Sequence, residues 1–555
     1  MASRPFFALA AILLFGLSLT ACQPQKVARQ PCPAGKLCLE YGNTAESNSL
    51  DPQMATTVSE AAILREVFEG MYTDGQDGSP VLGVAERAPE ISPNGLVWTF
   101  RLRSEMWSDG VPVTANDFVY AYQRMLNPKT GSSYAYLLYV LKNAQAVNAG
   151  KMPLAAVGAR ALDEHTLQLT LEHPASYLPQ LLKHQAFFPI PAHSVQVLKD
   201  HWVDPGKMVS NGAYTFKEWR LGDYVRLQKN PLYRDADRVC FDRVDFSPTN
   251  DPIAAERRVL RGELDINNSI QSNRVPKLRA DPASAPFVHT YPYLITGYMI
   301  FNIHDVAALR DRRVRQAISM SIDRAFITDK LMRAGQVPTV SYIPHGIAGY
   351  LPKDGPHPQP AWGGWTIERR QAAARQLLTW AGYGPAHPLT LELKTTNNAS
   401  SLVTAQSVQA DLKAVGVDVT FRQEDGAVVF ESFNLRDFQL GATGWVADYN
   451  DPMTFLNLMK SDTGQQNYGD YKSPAYDALL KAADNEPDAA KRAGYMARAE
   501  QMILDDAVIA PIATGVSLSL VSPQITGWIE NNADIHPVRL LCRNDAAGRP
   551  TKPAS

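Results

Sequence analysis

Hydrophobic positions recur along this chain with two periods, which predict strands and helices in alternation. Residues 96–102 alternate apolar and polar after an Asn94-Gly95 turn and predict a half-buried strand, whereas apolar residues at helical spacing predict a helix at 60–71. The same patterns predict further strands at 38–42, 166–171 and 224–228, and further helices at 314–332 and 367–381. This mixture indicates α/β or α+β domains rather than all-helical ones.

Capping residues set the ends of two predicted helices. The Thr114 hydroxyl is expected to accept a hydrogen bond from an amide of the first turn, and acidic Asp117 complements the helix dipole. This helix should stop at Asn127-Pro128, because the residue before a proline avoids the helical conformation. Gly382 follows the helix at 367–381 as a C-terminal cap.

The first 22 residues have the pattern of a lipoprotein signal peptide. Arg4 supplies positive charge, residues 6–19 form an apolar run, and small residues precede Cys22. The run is shorter than the roughly 20 residues of a membrane span, which makes a retained transmembrane helix the weaker alternative. We therefore predict a signal peptide at 1–21 and lipid attachment at Cys22, which places the mature protein outside the cytoplasmic membrane. The sequence leaves open which leaflet holds the anchor.

Length and charge favour a large soluble binding protein and argue against a nucleic-acid binder. The chain has 555 residues, so at least two domains are expected. Its formal charge of -2 comes without the basic stripe that a phosphate backbone requires. A polar tether at 22–31 and a polar tail at 546–555 have the composition of disordered segments.

Motifs of several large enzyme classes are missing from this sequence. It contains no phosphate-binding Gly-x-x-x-x-Gly-Lys-Ser/Thr, no nucleophile elbow and no His-Glu-x-x-His. Its 11 histidines are scattered rather than paired at helical metal-site spacing. We expect a protein that is not an enzyme and uses no cofactor or metal.

Four cysteines follow Cys22, and an oxidising compartment would let them pair. Four residues allow three pairings. We favour one short link and one long one, because Cys32 lies close to Cys38 in sequence whereas Cys240 and Cys542 join distant segments.

The tract 444–452 places a carboxylate among aromatic and small residues. Asp448 follows Trp445, Val446 and Ala447, so its surroundings should be partly desolvated, and an opposite charge then counts for more than in water. This pattern is typical of a pocket that captures a cationic amine. The alternative is a polar turn before a helix opened by Pro452.

Nine collinear segments give the chain a family resemblance. It resembles the extracytoplasmic oligopeptide-binding proteins of peptide ABC transporters, which are family 5 solute-binding proteins, over nearly the whole mature length. The matching segments are the tract 444–452 together with Ser49-Leu50-Asp51-Pro52, Val67-Phe68-Glu69-Gly70, Trp98-Thr99-Phe100-Arg101-Leu102-Arg103 with Trp107-Ser108-Asp109-Gly110, residues 112–120, Asn211-Gly212-Ala213-Tyr214, Asn230-Pro231, Gly262-Glu263-Leu264-Asp265 and Arg313-Val314-Arg315-Gln316-Ala317.

The resemblance implies an α/β, two-lobed periplasmic-binding-protein-like fold of type II with an extra inserted domain and a ligand enclosed between the lobes. By analogy, two crossings near residues 290 and 511 form a hinge. The implied division is domain I at 32–72, 190–290 and 511–545, domain II as an insertion at 73–189, and domain III at 291–510.

The resemblance also assigns residues to the ligand. Asp448 matches the aspartate that pairs with the peptide's amino terminus, Trp445 an aromatic of a side-chain pocket, and Tyr134 a tyrosine of domain II. Members of the family hold the peptide extended and hydrogen-bond its backbone in the manner of an added strand. The predicted ligand-binding set adds Ala447, Val58 and Asn268. Ordinary core packing is the alternative for Tyr134, Val58 and Asn268.

Two departures from the family pattern bear on the ligand. Phe433 and Ala442 stand where some relatives carry basic residues toward the peptide's carboxyl end, and Arg436 and Arg333 are the candidate substitutes. This puts ligand length and the need for a free carboxylate in doubt. Certain relatives also carry a disulfide at the places occupied here by Ile295 and Val446.

The resemblance implies a monomeric lipoprotein that captures peptides and delivers them to a permease driven by a separate ATPase, without binding nucleic acid. The alternative within transport is a receptor for another solute, such as a murein peptide, an opine, a sugar or a metal chelate. A chaperone or peptidase is the alternative from another class.

Overall fold

The computed structural model describes residues 29–544. The predicted signal peptide, Cys22, most of the tether and the tail at 546–555 lie outside the described residues. Within 29–544, no helix combines the length and the apolarity that a membrane crossing requires.

The described chain forms strands that are numbered here in chain order. They are β1 (Cys38–Gly42), β2 (Tyr72–Asp74), β3 (Pro80–Leu82), β4 (Glu90–Ile91), β5 (Val97–Arg101), β6 (Ala159–Asp163), β7 (Thr166–Thr170), β8 (Tyr214–Arg220), β9 (Tyr224–Lys229), β10 (Arg243–Ser247), β11 (Ile266–Asn267), β12 (Val288–Phe301), β13 (Val337–Pro338), β14 (Leu389–Thr396), β15 (Val417–Glu424), β16 (Leu440–Val446), β17 (Ile509–Val521), β18 (Ile525–Thr526) and β19 (Cys542–Arg543).

The α-helices lie between these strands, and most are short. They are α1 (Val58–Val67), α2 (Ala115–Leu126), α3 (Ala144–Asn148), α4 (Leu178–Leu182), α5 (Ala192–Leu198), α6 (Pro252–Leu260), α7 (Val275–Ala280), α8 (Ala307–Arg310), α9 (Arg312–Ser321), α10 (Arg324–Phe326), α11 (Ile367–Trp380), α12 (Ala399–Lys413), α13 (Gly426–Asn434), α14 (Met453–Leu456), α15 (Pro474–Asp484) and α16 (Ala489–Asp505).

One large mixed sheet runs through the molecule in the order β15-β14-β16-β12-β17-β11-β1-β10-β9-β8, with β13 also paired to β17. The chain leaves this sheet between β1 and β8 and builds a separate four-stranded antiparallel sheet in the order β4-β5-β7-β6. At the other end, β14, α12 and β15 form a parallel strand-helix-strand unit whose apolar residues pack with α9 and α11 in their own core.

Two long antiparallel strands join the halves of the large sheet. β12 and β17 pair along most of their lengths, from Val288 opposite Leu520 to Ile300 opposite Ile509. The register shifts between Pro292 and Thr296, so the ladder is irregular near its middle. Residues 290 and 511, where the hinge is expected, fall within these two strands.

Most predicted elements are confirmed with small changes at their ends. The strand at 38–42 is β1, and those at 96–102, 166–171 and 224–228 are β5, β7 and β9. The helix at 367–381 is α11, followed by Gly382 at φ +92°. The helix after Thr114 is α2, and it ends before Asn127 as predicted.

The start of α2 is held by contacts between Thr114 and Asp117. The Asp117 carboxylate accepts from the Thr114 amide at 2.9 Å and from the Thr114 hydroxyl at 3.1 Å.

Two helix predictions were wrong at their boundaries. The helix expected at 60–71 is α1. It starts at Val58, because Thr57 and Glu60 form a capping box just before and within its first turn. It stops at Val67, where Gly212 packs so closely that a Cβ would lie 2.5 Å from the Val67 carbonyl carbon.

The predicted continuous helix at 314–332 is broken. α9 ends at Ser321, and the Asp323 side chain accepts from the Phe326 amide, which starts the new turn of α10. A π-helical segment, Ile327–Met332, completes the stretch.

Both favoured disulfides are present. Cys32 bonds to Cys38, and Cys240 bonds to Cys542 across 302 positions of sequence. The longer link fastens β19, near the end of the described chain, to the segment that precedes β10.

Candidate functional site

The Asp448 turn is built at the end of β16. The Ala447 amide donates to the Leu294 carbonyl at 2.8 Å, and the Asp448 amide donates to the Thr454 hydroxyl at 3.0 Å. The Trp445 indole lies 3.5 Å from the same hydroxyl and is 9% exposed. The backbone on both sides of Asp448 is therefore fixed before any ligand is considered.

The Asp448 carboxylate is buried, and no described lysine or arginine pairs with it. One oxygen, Oδ1, accepts from the Tyr134 hydroxyl at 3.1 Å, while Oδ2 is buried and has no hydrogen-bond partner among the described residues. Burial raises the pKa of Asp448 to about 7, even though the Tyr134 hydrogen bond acts to lower it. A cation that reached Oδ2 would stabilise the ionised form strongly, because the surroundings are poorly solvated.

The nearest ionisable nitrogen supplies no positive charge to this carboxylate. His184 Nε2 lies 4.0 Å from Asp448 Oδ1, but burial lowers the pKa of His184 to about 3, so the ring is neutral. Its Nδ1 accepts from the Ala186 amide at 3.2 Å, which assigns the ring proton to Nε2. The neighbouring Lys183 ammonium is held 2.6 Å from Asp74.

Aromatic rings form the wall opposite Asp448. Tyr134 contacts Tyr136 with ring centroids 5.9 Å apart and meets His184 edge-on at 5.6 Å. The Tyr136 hydroxyl is buried and has no hydrogen-bond partner in the described chain. These three residues lie in the segment between β2 and β8 that builds the small antiparallel sheet, whereas Asp448 follows β16 of the large sheet.

Further contacts join the same two parts of the molecule. Tyr177 stacks on Tyr449 with centroids 5.7 Å apart, and the Arg492 guanidinium lies 5.1 Å from the Tyr177 ring centre. Arg492 also donates two hydrogen bonds to Asp451, at 2.7 and 2.9 Å. Gln145 donates to Asp462 at 2.6 Å. The two parts are thus in contact around Asp448.

One edge of β16 is available for strand addition. β14 pairs with β16 only at Leu440 and Gly441, and β12 occupies the opposite edge as far as Val446. No other described strand pairs with residues 442–446 on the β14 side. Their outward amide and carbonyl groups can therefore bond an extended backbone.

A cavity of about 560 Å³ lies where β14 and β16 separate. Its wall includes Asn268, Tyr293, Thr396 and Phe430, together with residues 442–444 of β16. The volume is in the range of about 300 to 1,000 Å³ that is usual for ligand sites.

The structure brings some predicted site residues together and separates others. Asp448 and Tyr134 are in direct contact, while Trp445 and Ala447 support the turn beside them. Asn268 lines the cavity, and its side-chain amide donates to Tyr41 at 2.7 Å. Val58 is 52% exposed at the start of α1 and does not line the cavity.

The two candidate basic substitutes do not line the cavity. Arg436 pairs with Asp470 at 2.9 Å, and Arg333 is exposed. Phe433 and Ala442, which replace the expected basic residues, do form part of its wall. Ile295 and Val446 lie directly opposite each other in the β12-β16 pair, so an aliphatic pair stands where certain relatives have a disulfide.

Sequence patterns missed several residues of this region. His184, Thr454, Tyr293 and Phe430 come from four separate segments, and none belongs to a recognisable local motif. In the structure, His184 lies near the Asp448 carboxylate, Thr454 accepts from the Asp448 amide, and Tyr293 and Phe430 line the cavity beside β16.

This arrangement defines a two-lobed binding protein that encloses its ligand between lobes. The chain belongs to a known family of that class: residues 79–467 match the model for the bacterial extracellular solute-binding proteins, family 5. The fold is therefore the type II two-lobed α/β fold with an additional domain, as the sequence predicted.

Named relatives cover nearly the whole chain. It is 34% identical over 527 residues to the periplasmic oligopeptide-binding protein OppA of Escherichia coli, covering 94% of each chain. It is 36% identical over 495 residues to the periplasmic murein peptide-binding protein MppA of the same species, covering 88% of this chain and 90% of that one.

A comparison with two solved structures of one relative bears on the lobe arrangement. The E. coli murein tripeptide-binding protein MppA gives a TM-score of 0.87 at 35% identity, covering 92% of this chain and 98% of that one. The unliganded open form of MppA gives a TM-score of 0.65 at the same identity, covering 92% and 97%. The present structure therefore differs from that open arrangement.

Proposed function

We propose that this chain is the peptide receptor of an ABC importer and that Asp448 holds the ligand's free amine. The observation that carries the proposal is a buried Asp448 oxygen that has no hydrogen-bond partner in the described part of the chain, in a pocket where the neighbouring histidine is neutral. A peptide ammonium supplies the missing cation and up to three N–H donors. The periplasmic oligopeptide-binding protein OppA, at 34% identity, supports the same ligand class.

The peptide backbone is proposed to add a strand to the free edge of β16. An extended chain that starts at Asp448 runs back beside residues 446–442, whose outer edge β14 does not cover. Backbone hydrogen bonds give affinity with little dependence on side chains, which suits a receptor for peptides of varied sequence. Capture of this kind needs no chemical step, and the receptor is proposed to be non-enzymatic.

Ligand binding is proposed to close two lobes around the peptide. The irregular ladder between Pro292 and Thr296 offers a place for strands β12 and β17 to bend. The proposed division keeps domain I at 32–72, 190–290 and 511–545, domain II at 73–189 and domain III at 291–510. The Tyr134–Asp448 and Tyr177–Tyr449 contacts then join domain II to domain III in the closed form.

The receptor is proposed to work in the periplasm as a monomer, tethered by lipid at Cys22. Its relatives carry periplasmic names, and the two disulfides suit an oxidising compartment. From there it would deliver peptides to a permease that a separate ATPase drives.

A murein peptide is the second candidate ligand, favoured by the 36% identity to MppA. It has the same need for an amine partner, so Asp448 serves both ligands. Competition between a murein tripeptide and an unrelated tripeptide of similar size, measured as a ratio of Kd values, separates the two candidates.

The proposal is tested by mass spectrometry of ligands released on denaturing the purified protein, with calorimetry of a short peptide and its N-acetylated form. Recovered peptides and an affinity loss of at least a hundredfold on acetylation are expected. Absence of both recovered peptides and peptide binding would overturn the assignment.

A further inference from the structure

The cavity between β14 and β16 has an almost wholly uncharged wall. It contains neutral polar side chains such as Ser400 and Gln336, apolar ones such as Ile512 and Val516, and tyrosine and phenylalanine rings. None of the described residues that line it is lysine, arginine or histidine. A ligand carboxylate brought inside would lose hydration without meeting a cation, which is costly.

The one ionisable carboxylate in the wall further disfavours a ligand carboxylate in the cavity. Asp534 is 16% exposed in its side chain and accepts hydrogen bonds from Tyr291 at 2.6 Å and from Ser517 at 2.7 Å. Its negative charge repels an anionic ligand group. Two features oppose it among the described residues: His536 Nε2 lies 3.2 Å from the same carboxylate, and α12 begins at the wall, where the Asn398 side chain already accepts from the Ser401 amide at 2.9 Å. The Asn398 side chain thus occupies part of this helix terminus, which weakens its attraction for an anion.

The cavity reaches solvent between α12 and α13. Val403 on α12 and Phe430 on α13 both line it, and they are 37% and 43% exposed. An apolar, partly exposed rim of this kind lets a ligand end project outward while its preceding residues stay covered.

The position of the cavity relative to Asp448 sets which part of a peptide it meets. Gly444, the last residue of β16 that lines it, is four residues before Asp448. At about 3.3 Å per extended residue, that span is at most about 13 Å. A peptide whose amine lies at Asp448 therefore reaches the cavity no later than about its fourth residue.

We infer that this cavity is a subsite for the distal part of a peptide and that it selects uncharged, chiefly apolar residues from about the fourth position onward. The peptide's terminal carboxylate stays at the solvent-exposed rim and is not bound by the protein. The inference rests on the proposed function, and it makes peptides of four or more residues the preferred class.

The test compares three pentapeptides with a common first half on the purified protein by calorimetry. One has leucine at positions four and five with a free carboxylate, the second is its amide, and the third has glutamate at position four. The free acid and the amide are expected to agree within about threefold in Kd. The glutamate peptide is expected to bind at least tenfold more weakly.

Two lysine substitutions separate a subsite effect from a general charge effect. Val403→Lys places a cation on the cavity rim, whereas Val428→Lys adds the same charge to an exposed position of α13 that does not line the cavity. Val403→Lys should lower the Kd of the glutamate peptide at least threefold, and Val428→Lys should leave that Kd unchanged.

Two results would overturn the inference while leaving the proposed function standing. One is an amide that binds at least tenfold more weakly than the free acid, which would place a bound carboxylate in the cavity. The other is equal binding of the leucine and glutamate peptides. If no peptide with a free amine binds, the proposed function fails, and the inference fails with it.

Discussion

The Tyr134 hydroxyl donates a hydrogen bond of 3.1 Å to the Asp448 carboxylate, although 314 positions of sequence separate the two residues. The contact joins the inserted part of the chain to the turn after β16. The second carboxylate oxygen is buried and has no hydrogen-bond partner within residues 29–544. The following predictions depend on this relationship.

Asp448→Asn should weaken binding of a peptide with a free amine by about thirtyfold or more. The substitution keeps the shape of the side chain but removes the charge that a buried ammonium requires, and breaking such a pair costs about 2 to 5 kcal/mol. Calorimetry with the free and the N-acetylated peptide measures the effect. The acetylated peptide should bind wild type and variant alike, and exposed Asp418→Asn should change neither. Equal losses for both peptides would argue against amine capture.

Peptide binding should release a proton near pH 6. The pKa of Asp448 in the closed form is raised to about 7 by burial, so the carboxyl of a closed, ligand-free molecule is largely protonated at pH 6, and an ammonium lowers that pKa. Affinity should rise up to tenfold per pH unit between about pH 5 and 7, and fall above about pH 8 as the peptide amine deprotonates. Calorimetry at pH 6 in buffers of different ionisation heat counts the protons. Identical heats in all buffers would contradict the assignment.

The ligand-free protein should open as pH rises. Because the pKa of Asp448 in the closed form lies above its ordinary value, closure is favoured below about pH 4, and this contribution is lost as pH rises toward 7. Small-angle scattering should therefore record a larger radius of gyration at pH 8 than at pH 5. Asp448→Asn should remove most of the difference, and an unchanged pH response in that variant would place its origin elsewhere.

Tyr134→Phe should raise the pKa of Asp448 further, because it removes the hydrogen bond that favours the ionised carboxylate. Affinity for a free-amine peptide should fall several-fold at pH 7 and recover in part at pH 8. Tyr136→Phe is the matched control, since the Tyr136 hydroxyl has no hydrogen-bond partner among the described residues. A loss in Tyr134→Phe that does not vary with pH would indicate a packing role only.

Arg492→Ala should destabilise the protein by about 3 to 5 kcal/mol, because Asp451 would be left buried without its two hydrogen bonds from Arg492. Peptide affinity should fall as well, since Asp451 lies in the same turn as Asp448. Arg498→Ala, an exposed position on the same helix, should change the free energy of unfolding by less than about 0.5 kcal/mol. Denaturant unfolding measures both. Similar values for the two variants would show that the Asp451 pair contributes little.

Local patterns in the sequence were sufficient to predict many helices and strands. They gave wrong helix boundaries where contacts with other segments or a competing cap ended the helix. β1 and α11 follow from their own periodicity and caps. α1 stops early because Gly212 packs against Val67, and that neighbour lies 145 positions away in sequence. The break after α9 reflects the Asp323 cap, which competes with the continuous apolar pattern.

The residues of the candidate site also fall into two groups, those that a local sequence pattern marks and those that it does not. The composition of residues 444–452 was enough to single out Asp448, because a carboxylate among aromatic and small residues is a local signal. No comparable signal marks His184, Tyr293 or Phe430.

By itself, the sequence determined the alternation of strands and helices, the family resemblance, the secretory pattern of its first 22 residues and the Asp448 tract. Each depends on residues that are close in the chain or on an ordered set of local segments. The tertiary structure decided the Tyr134–Asp448 contact, the free edge of β16 and the cavity beside it, whose described wall has no basic side chain. The physical reason is that burial and strand pairing depend on which distant segments meet, and these in turn set the charge state of Asp448.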